Sequence, residues 1–279
     1  EDSDPGASRP AAIFLHGAGG NTVGWWQQIP AFVPILRCIA YDIRGYGRSP
    51  NPTGDSMTFL IADLEALVAH LCLTRVVLIA QSMGGRAALG YAVRHPDTVL
   101  ALIMADNWGS FHWPEHYERA KQFTIPEGHP RGVGRNFPQE QPALYHLFRS
   151  IGGLNPPRPR LEGPTPGGPT VEEVQRLEVP VLCIVGADDV IFPPSQIRAF
   201  AELLPNSVLG SQQRDSSDAV CWEQDRSSPI SSGVCGGGRC RSFSLFREGT
   251  SFQQAIAGFP QEAHSRIGKL RDLGTSSSQ

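Results

Sequence analysis

Short aliphatic runs alternate with longer stretches of helical periodicity from residue 11 to about residue 205. Each run is continuous rather than alternating in polarity, which is typical of parallel strands that are buried on both faces of a sheet. The crossover helices are predicted where apolar residues recur at helical spacing, at 57–71, 83–94 and 195–204. The pattern predicts an α/β fold with a mostly parallel central sheet and helices on both faces. The predicted strands are 11–15, 37–41, 76–80, 99–104 and 181–185.

The segment between Asp106 and about residue 170 departs from this alternation. Tryptophan, histidine and phenylalanine cluster within residues 108–117, and a stretch rich in proline and glycine follows at 156–169. The segment is too long for an ordinary connection between a strand and a helix. It therefore predicts a small helical lid followed by a flexible return.

The chain changes character again after Ser207. Serine and glycine dominate, and the glycine run at 236–238 argues against a strand or a long helix through Arg239. A weakly helical pattern at 250–273 has no strong amphipathic face. The predicted organisation is an N-terminal part of the core at 11–106, a lid insertion at 107–170, a C-terminal part of the core at 171–205, and an atypical, poorly ordered tail at 206–279.

Charge and composition narrow the choice of partners. The 279 residues include 24 Lys and Arg against 27 Asp and Glu, a formal net charge of -3. This balance gives no electrostatic reason to expect nucleic acid or an anionic membrane as a partner. No run approaches the roughly 20 apolar residues that cross a bilayer, and no apolar leader opens the chain. We expect a soluble protein with a small-molecule substrate, and the oligomeric state stays open.

The cysteines favour a reducing compartment. Three of the six lie in apolar stretches, where a free thiol behaves as a small buried hydrophobe. The other three lie in the Gly/Ser-rich tail without the paired spacing of a zinc site. A cytoplasmic location is therefore expected. The first group is Cys38, Cys72 and Cys183, and the second is Cys221, Cys235 and Cys240.

The sharpest chemical signal is the sequence Ala-Gln-Ser-Met-Gly-Gly at 80–85, which follows a predicted strand and begins a predicted helix. Small residues two before and two after Ser82 allow the strand and helix backbones to approach closely, as a nucleophile elbow requires. The N–H of Met83 would then be one donor to an oxyanion. The alternative is that Ser82 is an ordinary helix N-cap.

A second Gly-rich loop, His-Gly-Ala-Gly-Gly at 16–20, follows the first predicted strand. Such a loop offers an exposed backbone N–H as a second oxyanion donor, and Ala18 is the candidate. A phosphate cradle is the alternative, but the GxGxxG and GxxxxGK[ST] spacings are both missing. His16 is interpreted as a residue that braces the loop rather than as a catalytic base.

Four segments together resemble the α/β-hydrolase fold superfamily, the group of serine hydrolases that includes esterases, lactonases and C–C bond hydrolases. They occur in the order and spacing of that family and place the chain nearest its esterase and lactonase members. The resemblance implies that Asp42 and Arg44 are scaffolding, and that two strands which the family has before the His-Gly loop are missing here. The segments are 16–20, 42–49, 80–85 and 181–193.

The resemblance also implies a catalytic acid after the strand that follows the lid. The Gly-x-x-Asp pattern at 186–189 places Asp189 in that position, with Asp188 as its neighbour. Asp106, which follows the strand before the lid, is the other place for such an acid. A solvated loop carboxylate is the structural alternative.

The histidine that completes the family's triad is not found at its expected place, some 20 to 30 residues after the acid. Asp218 falls where it is expected, and His264 is the only histidine downstream of Asp189. His264 or a lid histidine such as His112 or His116 would have to replace it.

Two functions follow from these observations. The first is a serine hydrolase that acts on a small, apolar carboxylic ester, lactone or thioester through a Ser82 acyl-enzyme, with Asp189 as the acid and no metal or organic cofactor. A serine at this position argues against dehalogenases and epoxide hydrolases, which use an aspartate. The second is a catalytically impaired relative, either a binding protein or an aberrant gene product.

Overall fold

The computed structural model describes residues 1–7, 9–156, 161, 163–212 and 220–223. Within this part of the chain, seven strands form one sheet in the order β2-β1-β3-β4-β5-β6-β7. All neighbouring pairs are parallel except the last, in which β7 runs antiparallel to β6. The strands are β1 (Ala11–Leu15), β2 (Arg37–Ala40), β3 (Val76–Gln81), β4 (Val99–Ala105), β5 (Val181–Gly186), β6 (Ser207–Gln212) and β7 (Val220–Glu223).

Helices connect the parallel strands and cover the sheet. The short α1 precedes β2, α2 and α3 flank β3, and α8 lies between β5 and β6. Three further helices, α4 to α6, lie between β4 and α7, and α7 leads into β5. The bounds are α1 (Ile29–Phe32), α2 (Ser56–His70), α3 (Gly84–Arg94), α4 (Pro114–Ala120), α5 (Phe137–Glu140), α6 (Pro142–Gly153), α7 (Val171–Gln175) and α8 (Pro194–Leu203).

The sheet has a hydrophobic core on each face, and β1 shows why. Its five side chains are fully buried, and successive side chains of a strand point to opposite faces. Ile13 packs in the larger cluster, with apolar residues of α2, α3 and α8. Phe14 packs in the other cluster, with Trp25 and Phe32. A strand that contributes to two cores needs a continuous aliphatic sequence, which is the pattern that predicted it.

The predicted fold class is confirmed: the chain forms a mostly parallel central sheet with helices on both faces. The five predicted strands and the three predicted crossover helices are all present, with ends that differ by one residue at most. No described helix has the length and apolar character to cross a membrane.

The sheet extends beyond the predicted end of the core at residue 205. The strand β6 pairs with β5 over six residues, from Ser207 to Gln212, within the segment that the sequence assigned to the tail. Its sequence contains only two aliphatic residues, Val208 and Leu209, so no hydrophobic run marked it as a strand. The weak helical pattern at 250–273 lies outside the described residues.

One of the cysteines predicted to be buried is exposed. Cys38 and Cys183 are buried thiols, as expected, but Cys72 is exposed at the end of α2. Its backbone has a φ of 52°, because it turns the chain sharply out of the helix. An apolar sequence neighbourhood therefore did not determine burial at this helix terminus.

The helices α4 to α6 lie within residues 107–170, and an aromatic cluster forms the inner part of this segment. Trp108 contacts the rings of Phe111, Trp113 and Tyr117 in edge-to-face geometry. Phe111 also lies against Phe200 of α8, with ring centroids 6.2 Å apart. These contacts attach the segment to the core, and its assignment as a lid stays a prediction.

Candidate active site

Ser82 lies at the turn between β3 and α3, and its backbone is left-handed, with a φ of 48°. An ordinary N-cap residue has an extended backbone, so this conformation favours the elbow over the N-cap interpretation. The turn is held at both sides, because the Ser82 N–H donates to the Ala105 carbonyl (2.9 Å) and the Gly85 N–H donates to the Ser82 carbonyl (3.0 Å). A strained serine that the surrounding hydrogen bonds hold in place is typical of a nucleophile elbow.

Close backbone packing surrounds this turn. A Cβ atom on Gly84 would lie 2.3 Å from the Leu15 carbonyl oxygen, so only glycine allows α3 to begin this near to β1. A Cβ atom on Gly17 would lie 1.9 Å from Oε1 of Gln81 and 3.0 Å from Cβ of Ser82. The structure therefore brings the 16–20 loop, which contains Ala18, against the residues immediately before Met83. Ala18 and Met83, the predicted oxyanion donors, therefore lie near the same turn. Their role as donors stays a prediction.

His16 braces the loop and uses both ring nitrogens to do so. The ring lies buried, with Nδ1 2.9 Å from the Gly17 carbonyl, and Nε2 accepts the Ile43 N–H at 2.9 Å. With Nε2 as the acceptor, Nδ1 carries the proton and donates to the carbonyl. Burial lowers the pKa of His16, which keeps this ring neutral. The predicted bracing role fits this geometry.

We expect His16→Leu to lower the free energy of unfolding by about 1–3 kcal/mol, because it leaves the buried Ile43 N–H without an acceptor. Urea denaturation followed by fluorescence measures the change. His70→Leu is the matched control, because His70 is exposed at the end of α2 and should shift stability by less than about 0.5 kcal/mol. Equal stability of the two variants would contradict the bracing role.

Asp42 and Arg44 hold the neighbouring loop, as the resemblance implied. The Asp42 carboxylate accepts the Thr22 N–H (2.8 Å) and the Arg48 N–H (2.9 Å). Burial acts to raise the pKa of Asp42, but these hydrogen bonds outweigh it and the net pKa lies below the usual value. Arg44 forms a two-point salt bridge with Asp63. Both side chains therefore stabilise loop geometry.

Backbone hydrogen bonds hold the Asp189 loop and its carboxyl group in place. Its Oδ1 accepts the N–H groups of Ile191 (2.7 Å) and Phe192 (2.9 Å), and its own N–H donates to the Gly186 carbonyl (3.0 Å). Asp188, the alternative acid, is exposed. Of the two neighbours, Asp189 is the one in a fixed, partly desolvated position.

Asp106, the other proposed place for an acid, meets Asp189 at the same site. Its N–H donates to the Ile184 carbonyl (2.8 Å) and its Oδ1 accepts the Gly186 N–H (3.2 Å). Its carboxyl group also lies near that of Asp189, so that each affects the pKa of the other. The two alternatives of the sequence thus form one carboxyl pair at the carboxyl ends of β4 and β5.

The two carboxyl groups affect each other's ionisation. Burial is the main cause that raises the pKa of Asp106 well above its usual range, and the charge of Asp189 adds to it. Burial also raises the pKa of Asp189, and backbone hydrogen bonds offset part of that rise. Two neighbouring carboxyl groups cannot both ionise at low cost. We therefore expect the pair to retain one proton to higher pH than a free aspartate would.

Three histidines of residues 107–170 lie in different environments. His116 is buried and stacks on Trp113 (4.2 Å between centroids), and burial lowers its pKa to about 4. His112 is exposed. His129, between α4 and α5, has Nδ1 2.9 Å from the Pro130 carbonyl. His264 and Asp218 lie outside the described residues.

Two asparagines that the sequence analysis did not single out connect the parts of this site. Asn107 donates from Nδ2 to the carbonyls of Ala80 (3.1 Å) and Ala105 (2.9 Å), which ties the ends of β3 and β4 together below the elbow. Asn155 follows α6 and contacts the backbone of the 16–20 loop. Neither belongs to a motif or a periodic pattern, so no signal in a single sequence could have found them.

Comparisons with known proteins agree with this architecture. A family model described as the alpha/beta hydrolase fold matches residues 10–137. RutD of Caulobacter sp. (strain K31), which is named for carbamate hydrolysis, is 27% identical over 228 residues that cover 74% of this chain and 82% of that protein. The 3-oxoadipate enol-lactonase 2 of Acinetobacter baylyi is 26% identical over 222 residues, covering 73% of this chain and 80% of that one.

A solved structure shows the same likeness in three dimensions. A thermophilic esterase from Thermogutta terrifontis superposes with a TM-score of 0.58 at 25% identity, and the match covers 76% of this chain and 82% of that chain. Together with the sheet order and the elbow, these findings show that the chain has the α/β-hydrolase fold.

Proposed function

We propose that the protein is a serine hydrolase acting on a small carboxylic ester, lactone or thioester. The observation that carries this proposal is the left-handed backbone of Ser82 at the end of β3, directly before α3. Its Oγ would attack the carbonyl carbon and give up its proton to a base. The tetrahedral intermediate then collapses to the acyl-enzyme as the C–O or C–S bond breaks and the base returns the proton to the leaving alcohol or thiol, which stays attached to the acyl chain in a lactone. Water that the same base deprotonates hydrolyses the acyl-enzyme to the carboxylic acid and restores Ser82.

The oxyanion would be stabilised by the backbone N–H groups of Met83 and Ala18. Met83 precedes the first turn of α3, where N–H groups and the helix dipole favour negative charge. Ala18 belongs to the loop whose Gly17 lies against Ser82. These contacts support a two-donor site.

Asp189 is the proposed acid that orients the histidine. Backbone hydrogen bonds and the neighbouring Asp106 fix the orientation of its carboxyl group at the carboxyl end of β5. The base is then His264 or a histidine of residues 107–170, such as His112, His116 or His129. Asp106 supports the acid from the neighbouring strand.

An apolar acyl or alcohol part is the proposed substrate feature, supported by the aromatic side chains of residues 107–170 acting as a lid. The names of the lactonase and esterase relatives favour the same carbonyl chemistry. The balanced charge favours a small molecule over nucleic acid or a membrane surface. The free thiols of Cys38 and Cys183 support a cytoplasmic location.

Treatment of the 279-residue protein with a fluorophosphonate probe tests this proposal. We expect rapid labelling that peptide mass spectrometry locates at Ser82 and that Ser82→Ala abolishes, because only an activated serine reacts with such a probe. A folded chain that is not labelled, or is labelled equally in Ser82→Ala, would refute the hydrolase. This result would favour the second candidate, a catalytically impaired relative. The absence of a histidine 20 to 30 residues after Asp189 supports that candidate.

The same assay locates the base. Loss of labelling in His112→Ala, His116→Ala or His129→Ala assigns the base to residues 107–170, and loss in His264→Ala assigns it to the C-terminal region. His70→Ala is the control, because His70 is exposed at the end of α2. Its labelling should equal that of the wild type.

A further inference from the structure

A single side chain at the end of α6 joins two loops of the core. Asn155 Nδ2 donates to the Gly19 carbonyl at 2.8 Å, and its Oδ1 accepts the Gly47 N–H at 2.8 Å. Gly19 belongs to the loop of the proposed oxyanion donor, and Gly47 to the loop that Asp42 holds. One amide group therefore satisfies a donor in one loop and an acceptor in the other.

A second asparagine makes a contact in the opposite direction. Asn21 is buried in the first of these loops and donates from Nδ2 to the Ile151 carbonyl of α6 at 3.1 Å. Its Oδ1 accepts the Val23 N–H at 3.1 Å, which fixes the side chain in place. The loop and the end of α6 thus exchange hydrogen bonds over more than 100 residues of sequence separation.

The loop is held at one end by other contacts. His16 braces its start, and Gly17 rests against the elbow. A Gly20 N–H to Gly17 carbonyl bond of 2.9 Å closes the turn internally. Beyond Ala18, the Gly19 backbone is left-handed, with a φ of 85°, and its carbonyl is the acceptor that Asn155 binds.

We propose that Asn155 is a positioning residue, which fixes the backbone around Ala18 and so couples α6 to the oxyanion loop. The catalytic consequence rests on the proposed function, whereas the effect on the loop does not. A hydrogen bond that holds one backbone conformation lowers the population of others, and an oxyanion donor acts only from the correct conformation. Movement of α6 would therefore change the donor geometry.

Three variants separate the contacts of Asn155. Asn155→Ala removes both of these hydrogen bonds and two longer ones, from Nδ2 to the Gly152 carbonyl (3.4 Å) and from Asn21 Nδ2 to Oδ1 (3.5 Å). Asn155→Asp keeps the acceptor for the Gly47 N–H and loses the donor to the Gly19 carbonyl. The matched control is Asn206→Ala, which removes one side-chain bond of an asparagine, to the Glu178 carbonyl at 3.2 Å. Asn206 immediately precedes β6, away from both loops.

Hydrogen exchange with mass spectrometry gives the first readout. In both Asn155 variants we expect about tenfold faster exchange in peptides covering 16–24, as the loss of one hydrogen bond allows. Peptides covering 44–49 should accelerate only in Asn155→Ala. Peptides from β3 serve as the internal reference, because a general loss of stability would accelerate them too. Exchange at 16–24 equal to that of Asn206→Ala overturns the proposal.

The kinetics of fluorophosphonate labelling give the second readout. We expect both Asn155 variants to lose about tenfold in the maximal labelling rate with little change in the probe concentration at half-maximal rate, since the oxyanion forms only during reaction. Faster loop exchange with an unchanged labelling rate would overturn the positioning role. If the wild type is not labelled, the proposed function fails, and exchange at 16–24 alone decides whether Asn155 holds the loop.

Discussion

Gly84→Ala should lose about 3 kcal/mol or more of stability, because the new Cβ atom would meet the Leu15 carbonyl oxygen at 2.3 Å. The obstacle is backbone, held in β1 between two parallel neighbours, and it cannot rotate away. Either α3 moves outward or the sheet distorts, and both disturb Ser82. We expect a lower urea midpoint and at least a hundredfold drop in the rate of probe labelling.

Gly90→Ala is the matched control in the same helix. A Cβ atom there would also lie 2.3 Å from its nearest neighbour, but that neighbour is Cδ1 of Ile61, the tip of a flexible side chain. Repacking of Ile61 and the higher helix propensity of alanine should keep the cost to about 1 kcal/mol or less. Similar losses in the two variants would show that the close approach of Gly84 to β1 does not limit the elbow.

Asp106→Asn should stabilise the protein by roughly 2 kcal/mol at pH 8 and leave it nearly unchanged at pH 4. In the wild type, burial and the charge of Asp189 raise the pKa of Asp106, so the folded state keeps a proton that the unfolded state has lost. Stability therefore falls as the pH rises from the ordinary pKa of an aspartate towards neutrality. An asparagine amide can donate to Asp189 and accept the Gly186 N–H at every pH.

Urea denaturation of both proteins across pH 4 to 8 measures this difference. Asp97→Asn is the control, because Asp97 is an exposed carboxylate that follows α3. It should show the same pH dependence as the wild type. A difference between wild type and Asp106→Asn that does not grow with pH would show that the carboxyl pair holds no extra proton.

The strands were predictable because their environment is uniform along their length. Each of β1 and β3 lies between parallel neighbours and has a hydrophobic core on each face. Burial of both faces requires an unbroken aliphatic run. The strand β6 has Ser207 and Gly210 in place of such residues, and its pairing with β5 holds it in the sheet. Pairing with β5, rather than the local sequence, therefore determines that residues 207–212 form a strand.

The site was predictable where chemistry requires a fixed residue type at a fixed spacing. The backbone turn around Ser82 is of this kind, whereas the role of Asp189 as an acid stays a prediction. The contact between Asp106 and Asp189 was not, because it depends on β4 and β5 becoming neighbours although they are far apart in sequence. Asn155 was not predictable for the same reason, since its role arises from two loops that meet only in the folded chain.

The position of β3 determines how long the elbow survives when the protein fluctuates. This strand is hydrogen-bonded along both edges, and the Ser82 N–H continues that ladder to Ala105. Opening the elbow therefore means separating strands in the middle of the sheet, an event that belongs to global unfolding. The 16–20 loop is held instead by side-chain hydrogen bonds of His16 and Asn155 and by one backbone bond within its turn, so it can open while the sheet stays intact. Ser82 and the proposed oxyanion donor Ala18 would thus belong to segments with different lifetimes.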